Sequence, residues 1–303
     1  MTNERAELSA NSSGETAVAV GPHSNAIMHV LPATPVVAND SEGRLGWRNV
    51  RDLWTFRELL YFLTWRDVKV RYKQTVMGAS WAIIQPLVMM LIFAVFFGLL
   101  GVPTDDMPQL LFFYCGLLPW TFFSTAVTYS SVSLVANANL ITKVYFPRVL
   151  IPAATIAAGL VDLSVASVIL VGLIAYYQFS LTWGILMLPL IVLITVLLAL
   201  GLGVWLAALT VKYRDVRHVM PFVMQVWFFI TPIIYPTSVV PEKWRWLLYL
   251  NPMTGIVAGI RSAVAGRAFD WGALSFSAAV TLVLLTCAIA AFHRIEKGFA
   301  DVI

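Results

Sequence analysis

Six apolar runs, most of them twenty residues or longer, recur along this chain, and they dictate the solvent in which it folds. They lie at about 79–101, 109–135, 149–177, 183–211, 219–236 and 272–292. A helix rises about 1.5 Å per residue, so about 20 apolar residues cross a hydrocarbon core of about 30 Å. Residues are 59% hydrophobic and only 12% charged. Soluble domains carry about 25% charged residues, so too little polar surface remains to face water. The reading is an all-α integral membrane protein with six transmembrane helices. The fifth run is short and holds Pro221, Pro232 and Pro236, which predicts a kink. The fourth carries no charge.

Orientation follows from the basic residues, which mark the cytoplasmic ends of membrane spans. With the N-terminus inside, fifteen Lys and Arg near the spans fall on the cytoplasmic side and four on the other. The turns after the first and third runs contain neither residue type. Six crossings return the C-terminus, residues 294–303, to the cytoplasm. The net charge of +4 therefore reports topology, not nucleic acid.

Residues 1–43 mix Glu, Ser, Asn and Gly, and their one mildly apolar stretch is broken by Pro32 and Pro35. We expect a disordered cytoplasmic tail with no signal peptide. Residues 44–76 read as an amphipathic interface helix. Leu53, Phe56, Leu60 and Leu63 share one face, while the charges of Arg57, Glu58, Arg66 and Asp67 forbid spanning. Trp54 and Trp65 then sit at headgroup depth. Between the fifth and sixth runs, residues 237–271 mix charges with Trp and Leu, as short helices at or dipping into the outer interface do.

The search for chemistry finds no HExxH, no phosphate-binding Gly–Lys loop and no mid-membrane histidine. The chain supplies no catalytic residue and binds no metal. Cys115 and Cys287 lie inside apolar runs and read as small buried hydrophobes. Asp162 is the one ionisable group clearly within a span. It is either hydrogen-bonded inside the bundle, to Ser164, Ser167 or a neighbouring helix, or it lines a polar conduit. Phe93, Phe96, Phe97, Tyr114, Trp120, Trp227, Phe228 and Tyr235 are either packing and interfacial belt or a surface over which sugar rings slide. Arg66, Lys69 and Lys73, spaced i, i+3, i+7, face either anionic lipid headgroups or the diphosphate of a lipid-linked substrate. Arg71 and Asp215 lie at one cytoplasmic level, which predicts an ion pair between them.

Four ordered stretches carry a resemblance. They are Trp65-Arg-Asp-Val-Lys-Val-Arg-Tyr-Lys-Gln-Thr-Val-Met-Gly-Ala-Ser-Trp-Ala-Ile-Ile-Gln-Pro-Leu87, Asn139-Leu-Ile-Thr-Lys-Val-Tyr-Phe-Pro-Arg148, Tyr213-Arg-Asp215 with Thr231-Pro-Ile-Ile-Tyr-Pro236, and Asn251-Pro-Met-Thr-Gly-Ile256. Together they resemble the ABC-2 permeases of the polysaccharide-export group, which includes O-antigen, capsule and teichoic-acid exporters. The resemblance covers about residues 50–300. It implies a homodimer in a bacterial inner membrane, paired with two copies of a cytoplasmic P-loop ATPase that holds ATP and Mg; this chain needs no cofactor. It also implies export of a lipid-linked polysaccharide. The interface helix, with Trp65, Arg66, Lys69, Arg71 and Lys73, becomes a gate next to that lipid diphosphate. Asn139, Lys143, Phe146, Pro147 and Arg148 become the ATPase coupling site. Asn137 and Pro147 are expected to fix the ends of a short helix there. A small-lipid or drug exporter, a membrane enzyme acting on lipid-linked sugars and a secondary transporter are the competing readings.

Overall fold

The computed structural model describes residues 55–73, 80–144, 146–179 and 182–296. The expected tail at 1–43, the first part of the interface helix and the C-terminus from 297 onward lie outside these. Every regular element among the described residues is helical. In chain order they are α1 (Arg57–Lys73), α2 (Ser80–Leu99), α3 (Gln109–Ala136), α4 (Ala138–Lys143), α5 (Leu150–Tyr176), a 3-10 turn (Trp183–Met187), α6 (Leu188–Lys212), α7 (Val216–Ile230), a second 3-10 turn (Thr237–Val239), α8 (Glu242–Tyr249), α9 (Pro252–Ala265) and α10 (Trp271–Glu296). Five segments are long and apolar enough to cross a membrane: α2, α3, α5, α10, and α6 with the turn before it. The fifth run falls short. Its helix, α7, has 15 residues and stops at Ile230. The Thr231–Pro236 stretch is non-helical, because Pro232 lacks the N–H that would continue the ladder. The expected kink is thus an end, while Pro221 sits inside the helix.

Helix α3 is the axis of the bundle. It packs against α2, α5, α6, α7 and α9, and its apolar residues from Leu111 to Leu118 are almost fully buried. Small residues let neighbours close on it, as they do wherever helices associate in lipid. A Cβ placed on Gly203 of α6 would meet Ser130 Oγ at 2.6 Å, and one on Gly159 of α5 would meet the Phe122 ring at 3.3 Å.

Helix α9 is bounded by local chemistry. The Asn251 side chain accepts from Met253 N at 3.0 Å, Pro252 opens the first turn, and Gly266 ends it at φ +66°. Helix α9 is buried among α3, α6 and α10. Its Arg261 donates to Pro232 O at 2.8 Å and Ile233 O at 2.7 Å, with its guanidinium 3.6 Å from the Phe112 ring centroid. Those carbonyls belong to the non-helical stretch just past the end of α7, where no helical N–H can reach them. Asn251 extends the same knot, accepting from Trp227 Nε1 at 2.9 Å and donating to Thr231 Oγ1 at 2.8 Å. Two of the four sequence motifs are therefore halves of one structural lock.

The short helix α4 is not fixed as expected. The Asn137 side chain donates back to Ser133 O at 2.8 Å instead of capping α4. Pro147 lies beyond the helix end at Lys143 and opens the turn into α5, where Leu150 N donates to its carbonyl at 3.1 Å. An Asn at the junction of two helices satisfies the carbonyl it can reach, here that of the preceding turn.

Candidate functional site

Helices α1, α2, α3 and α5 enclose a cavity of about 1290 Å³. Its α3 wall is a stripe of hydroxyls: Thr121, Ser124, Thr125, Thr128, Tyr129 and Ser133. Their spacing of three and four puts them on one helix face. Several already donate to their own helix, Thr128 to Ser124 O at 2.7 Å and Ser133 to Ser130 O at 2.7 Å. Each such oxygen keeps lone pairs for a ligand donor. Gln85 of α2 and Asn137 add amides.

The charges of the cavity form two neighbouring sets. Arg71 pairs with the Asp162 carboxylate, and Tyr72 donates its hydroxyl to the same carboxylate. The Arg71 guanidinium also lies 5.0 Å from the Tyr129 ring centroid, within cation–π range. One turn earlier on α1, Asp67 accepts from Arg66 at 2.8 Å and from Thr155 Oγ1 at 3.2 Å. Burial, followed by the hydrogen bond to Asp162, pushes the Tyr72 phenol well above its ordinary range, so it stays a donor at neutral pH. Two cations and two carboxylates thus balance inside the bundle.

This network corrects the expected Arg71–Asp215 pair: Arg71 pairs with Asp162. The reason lies in how α1 packs. Leu63 and Val68 are buried, and successive contacts at Thr155 and Asp162 show α1 running along α5. Arg71 and Tyr72 therefore reach the middle of a span instead of its cytoplasmic edge. A carboxylate within a span is costly unless paired, and the partner lies about 90 residues away. The bonds of Ser164 and Ser167 go to carbonyls of their own helix.

Of the residues singled out in the sequence, Arg66, Arg71 and Asp162 line the cavity. Lys69 and Lys73 are exposed, and Lys69 Nζ stands 5.5 Å from the exposed Trp65 ring. Most of the named aromatics meet elsewhere. Phe93 lies 5.8 Å from Phe228, Trp120 lies 5.6 Å from Phe228 and 6.4 Å from Trp227, and Phe93 and Phe97 meet edge to face at 5.7 Å. This cluster joins α2, α3 and α7. Tyr114 is fully buried and donates to Ala166 O at 2.7 Å, Phe96 is 63% exposed, and Tyr235 donates to Ile230 O at 3.2 Å. The cavity's own rings are Tyr72, Trp81, Phe122 and Tyr129. The hydroxyl stripe on α3 escaped the sequence reading, although its signal was present: a dense Ser/Thr series at helical spacing inside an otherwise apolar span.

Ahead of the start of α5, the coupling candidates divide. Asn139 and Lys143 are exposed. Phe146 is buried in a small core with Leu63, Ile151 and Phe292, Pro147 is half-buried, and Arg148 donates to Glu296 O at 2.9 Å.

The model of the ABC-2 type transporter family matches residues 58–265. An O-antigen export system permease protein RfbA of Myxococcus xanthus is 33% identical over 260 residues, which is 84% of this chain and 98% of that protein. An RfbA of Klebsiella pneumoniae is 30% identical over 81% of this chain and 95% of its own length. The polysialic acid transport protein KpsM of Escherichia coli is 28% identical over 77% of this chain and 92% of its own. With the family match running from the interface helix to the end of α9, this chain belongs to the ABC-2 type transporter family.

Proposed function

We propose that this chain is the permease subunit of an ATP-driven exporter that moves lipid-linked polysaccharide outward across a bacterial inner membrane. The observation that carries the reading is the cavity: hydroxyls, two amides and paired charges set among apolar residues in a space walled by otherwise apolar spans. Such a polar interior within the bilayer marks a substrate path. The permease names of the relatives agree. ATP and Mg belong to a partner ATPase, because the sequence holds no phosphate-binding loop.

Six crossings with both termini cytoplasmic fit this role. The 15 residues of α7 rise only about 22 Å, and the non-helical Thr231–Pro236 stretch follows. Ser238, just beyond, donates to Asp105 Oδ1 at 2.8 Å, and Arg267 reaches Asp105 O and the Asp106 carboxylate. These contacts support a far end of α7 level with the α2–α3 turn. Asn139 and Lys143 at the opposite end of α3 offer an exposed surface for the ATPase, and Phe146, Pro147 and Arg148 hold that surface to the core. The assembly proposed is a homodimer with two ATPase subunits. The test is copurification from the native host. The tagged chain is expected to retain a P-loop ATPase, and Lys143→Glu to lose it while the permease still inserts and keeps its melting temperature. A permease that retains no ATPase in native membranes would overturn the reading.

A further inference from the structure

Helix α4 carries the exposed Asn139 and Lys143 on only six residues, Ala138–Lys143. A helix that short is marginal on its own, and no side chain caps its start. Its placement must come from packing. Leu140 and Ile141 rest on the small core that holds Phe146, Leu63 and Phe292. Pro147 follows with its φ fixed by the ring, and Arg148 comes next. The Arg148 guanidinium donates to Glu296 O at 2.9 Å, across 148 residues of sequence. The Glu296 carboxylate stands 4.0 Å from Arg148 Nε and 3.6 Å from His293 Nδ1. Helix ends present carbonyls that lack intrahelical donors and carry partial negative charge, which a guanidinium answers. Phe292 and Glu296 are four residues apart and share one face of α10. That face therefore meets the segment after α4 twice: through the core at Phe146 and through the guanidinium at Arg148. Exposed ion pairs contribute little, but both side chains here are half-buried, and the bond to the helix carbonyl adds direction. Helix α10 is in turn packed along α6 and α9, so the support is fixed.

We infer that the last turn of α10 positions the ATPase-facing surface: Glu296 holds Arg148, Phe292 completes the core under Phe146, and together they set the angle at which α4 presents Asn139 and Lys143. Glu296 is a positioning residue, acting on the partner only through Arg148. The end of the last span thus has a part in coupling that its distance in sequence from the Asn139–Arg148 motif conceals. A joint that served only the fold would set the melting temperature and leave ATPase binding alone. A positioning joint sets the binding. The identity of the partner rests on the exporter reading; the joint between Arg148 and α10 does not.

The test measures binding of the copurified P-loop ATPase to the full-length permease in nanodiscs, with the melting temperature alongside. Arg148→Met is expected to weaken binding about ten-fold, the scale of one lost charge-assisted hydrogen bond, with the melting temperature unchanged. Glu296→Ala is expected to weaken it about three-fold, because the backbone carbonyl still accepts from Arg148. The double variant is expected to bind no more weakly than Arg148→Met alone, and Arg148→Lys to recover part of the loss. A nitroxide attached at position 139 reads the joint in the permease without its partner, and is expected to gain mobility in Arg148→Met and in Glu296→Ala. Unchanged binding in both single variants, or losses that add in the double, overturns the inference, as does a nitroxide that neither variant moves. A lowered melting temperature with binding intact assigns the joint to stability alone and also overturns it. Where Arg148→Met does not fold, Glu296→Lys sets a like charge against Arg148 and takes its place, with the same loss expected and part of it recovered by adding Arg148→Glu. A wild-type permease that binds no ATPase overturns the exporter reading, and the nitroxide alone then decides whether α10 positions α4.

Discussion

Asp162 and Arg261 are the two residues on which the interior electrostatics turn: Asp162 is a half-buried charge within a span and Arg261 a buried one, and each shows how such a charge is tolerated. Asp162 receives both Arg71 and Tyr72. Removing one partner leaves the others desolvated and unsatisfied, which costs about 1–3 kcal/mol. Arg71→Asp and Asp162→Arg are each expected to lower the melting temperature in detergent, and the double swap to recover much of the loss. Arg71→Asp with Asp215→Arg is expected to recover nothing, since Arg71 pairs with Asp162. Arg261 answers three carbonyls, those of Phe112, Pro232 and Ile233. Its burial pulls its pKa down to about 10, which still leaves it charged at neutral pH. Arg261→Ala strands these acceptors and is expected to destabilise by about 3 kcal/mol or more, while Arg261→Lys, a single donor point without the planar fork, recovers only part. Thermal melts of the two variants check the order.

Between elements, the closest approach governs. The Gly255 face of α9 lies against α10 so tightly that a Cβ would overlap Ser277 Oγ and the Ala273 carbonyl, whose carbon stands 2.8 Å away. That carbonyl is backbone and cannot rotate aside. Gly255→Ala is therefore expected to lower stability by about 1–3 kcal/mol. Gly172 of α5 has nothing within 4 Å, so Gly172→Ala is expected to be neutral or slightly stabilising through helix propensity. Comparing the two melting temperatures separates packing from propensity. The motifs also take their meaning at this scale. Thr231-Pro-Ile-Ile-Tyr-Pro236 and Asn251-Pro-Met-Thr-Gly-Ile256 look unrelated in sequence, yet Asn251 and Arg261 close the broken end of α7. A proline that ends a helix inside a bundle requires a donor from elsewhere to meet the exposed carbonyls, and that requirement pairs the two motifs.

For the molecule as a whole, α3 sets the polarity of the bundle. Its 28 residues measure about 42 Å, with Asp105 and Asp106 before one end and Lys143 beyond the other. Cysteines placed at 105 and 143, in a background lacking Cys115 and Cys287, are expected to react with an impermeant maleimide from opposite sides of intact inner-membrane vesicles. Reaction of both from one side would remove the basis for export. The contacts of Arg267 and Ser238 with the α2–α3 turn, and of Arg148 with the end of α10, agree with two distinct membrane faces.

Apolar run length was enough, unaided, to set the solvent, the helical class and five of the six expected spans, because each is a local property of the chain against the bilayer, while four short motifs carried the family resemblance. They did not reveal that Asp162 meets Arg71, that Asn251 and Arg261 lock a broken helix, or that a hydroxyl stripe on α3 faces a polar cavity. Those depend on which faces of separate helices meet, over sequence separations of 20 to 149 residues. In a chain where nearly every face is apolar, hydrophobic periodicity no longer says which side points inward. Only the packing of small residues and the pairing of buried charges decide it.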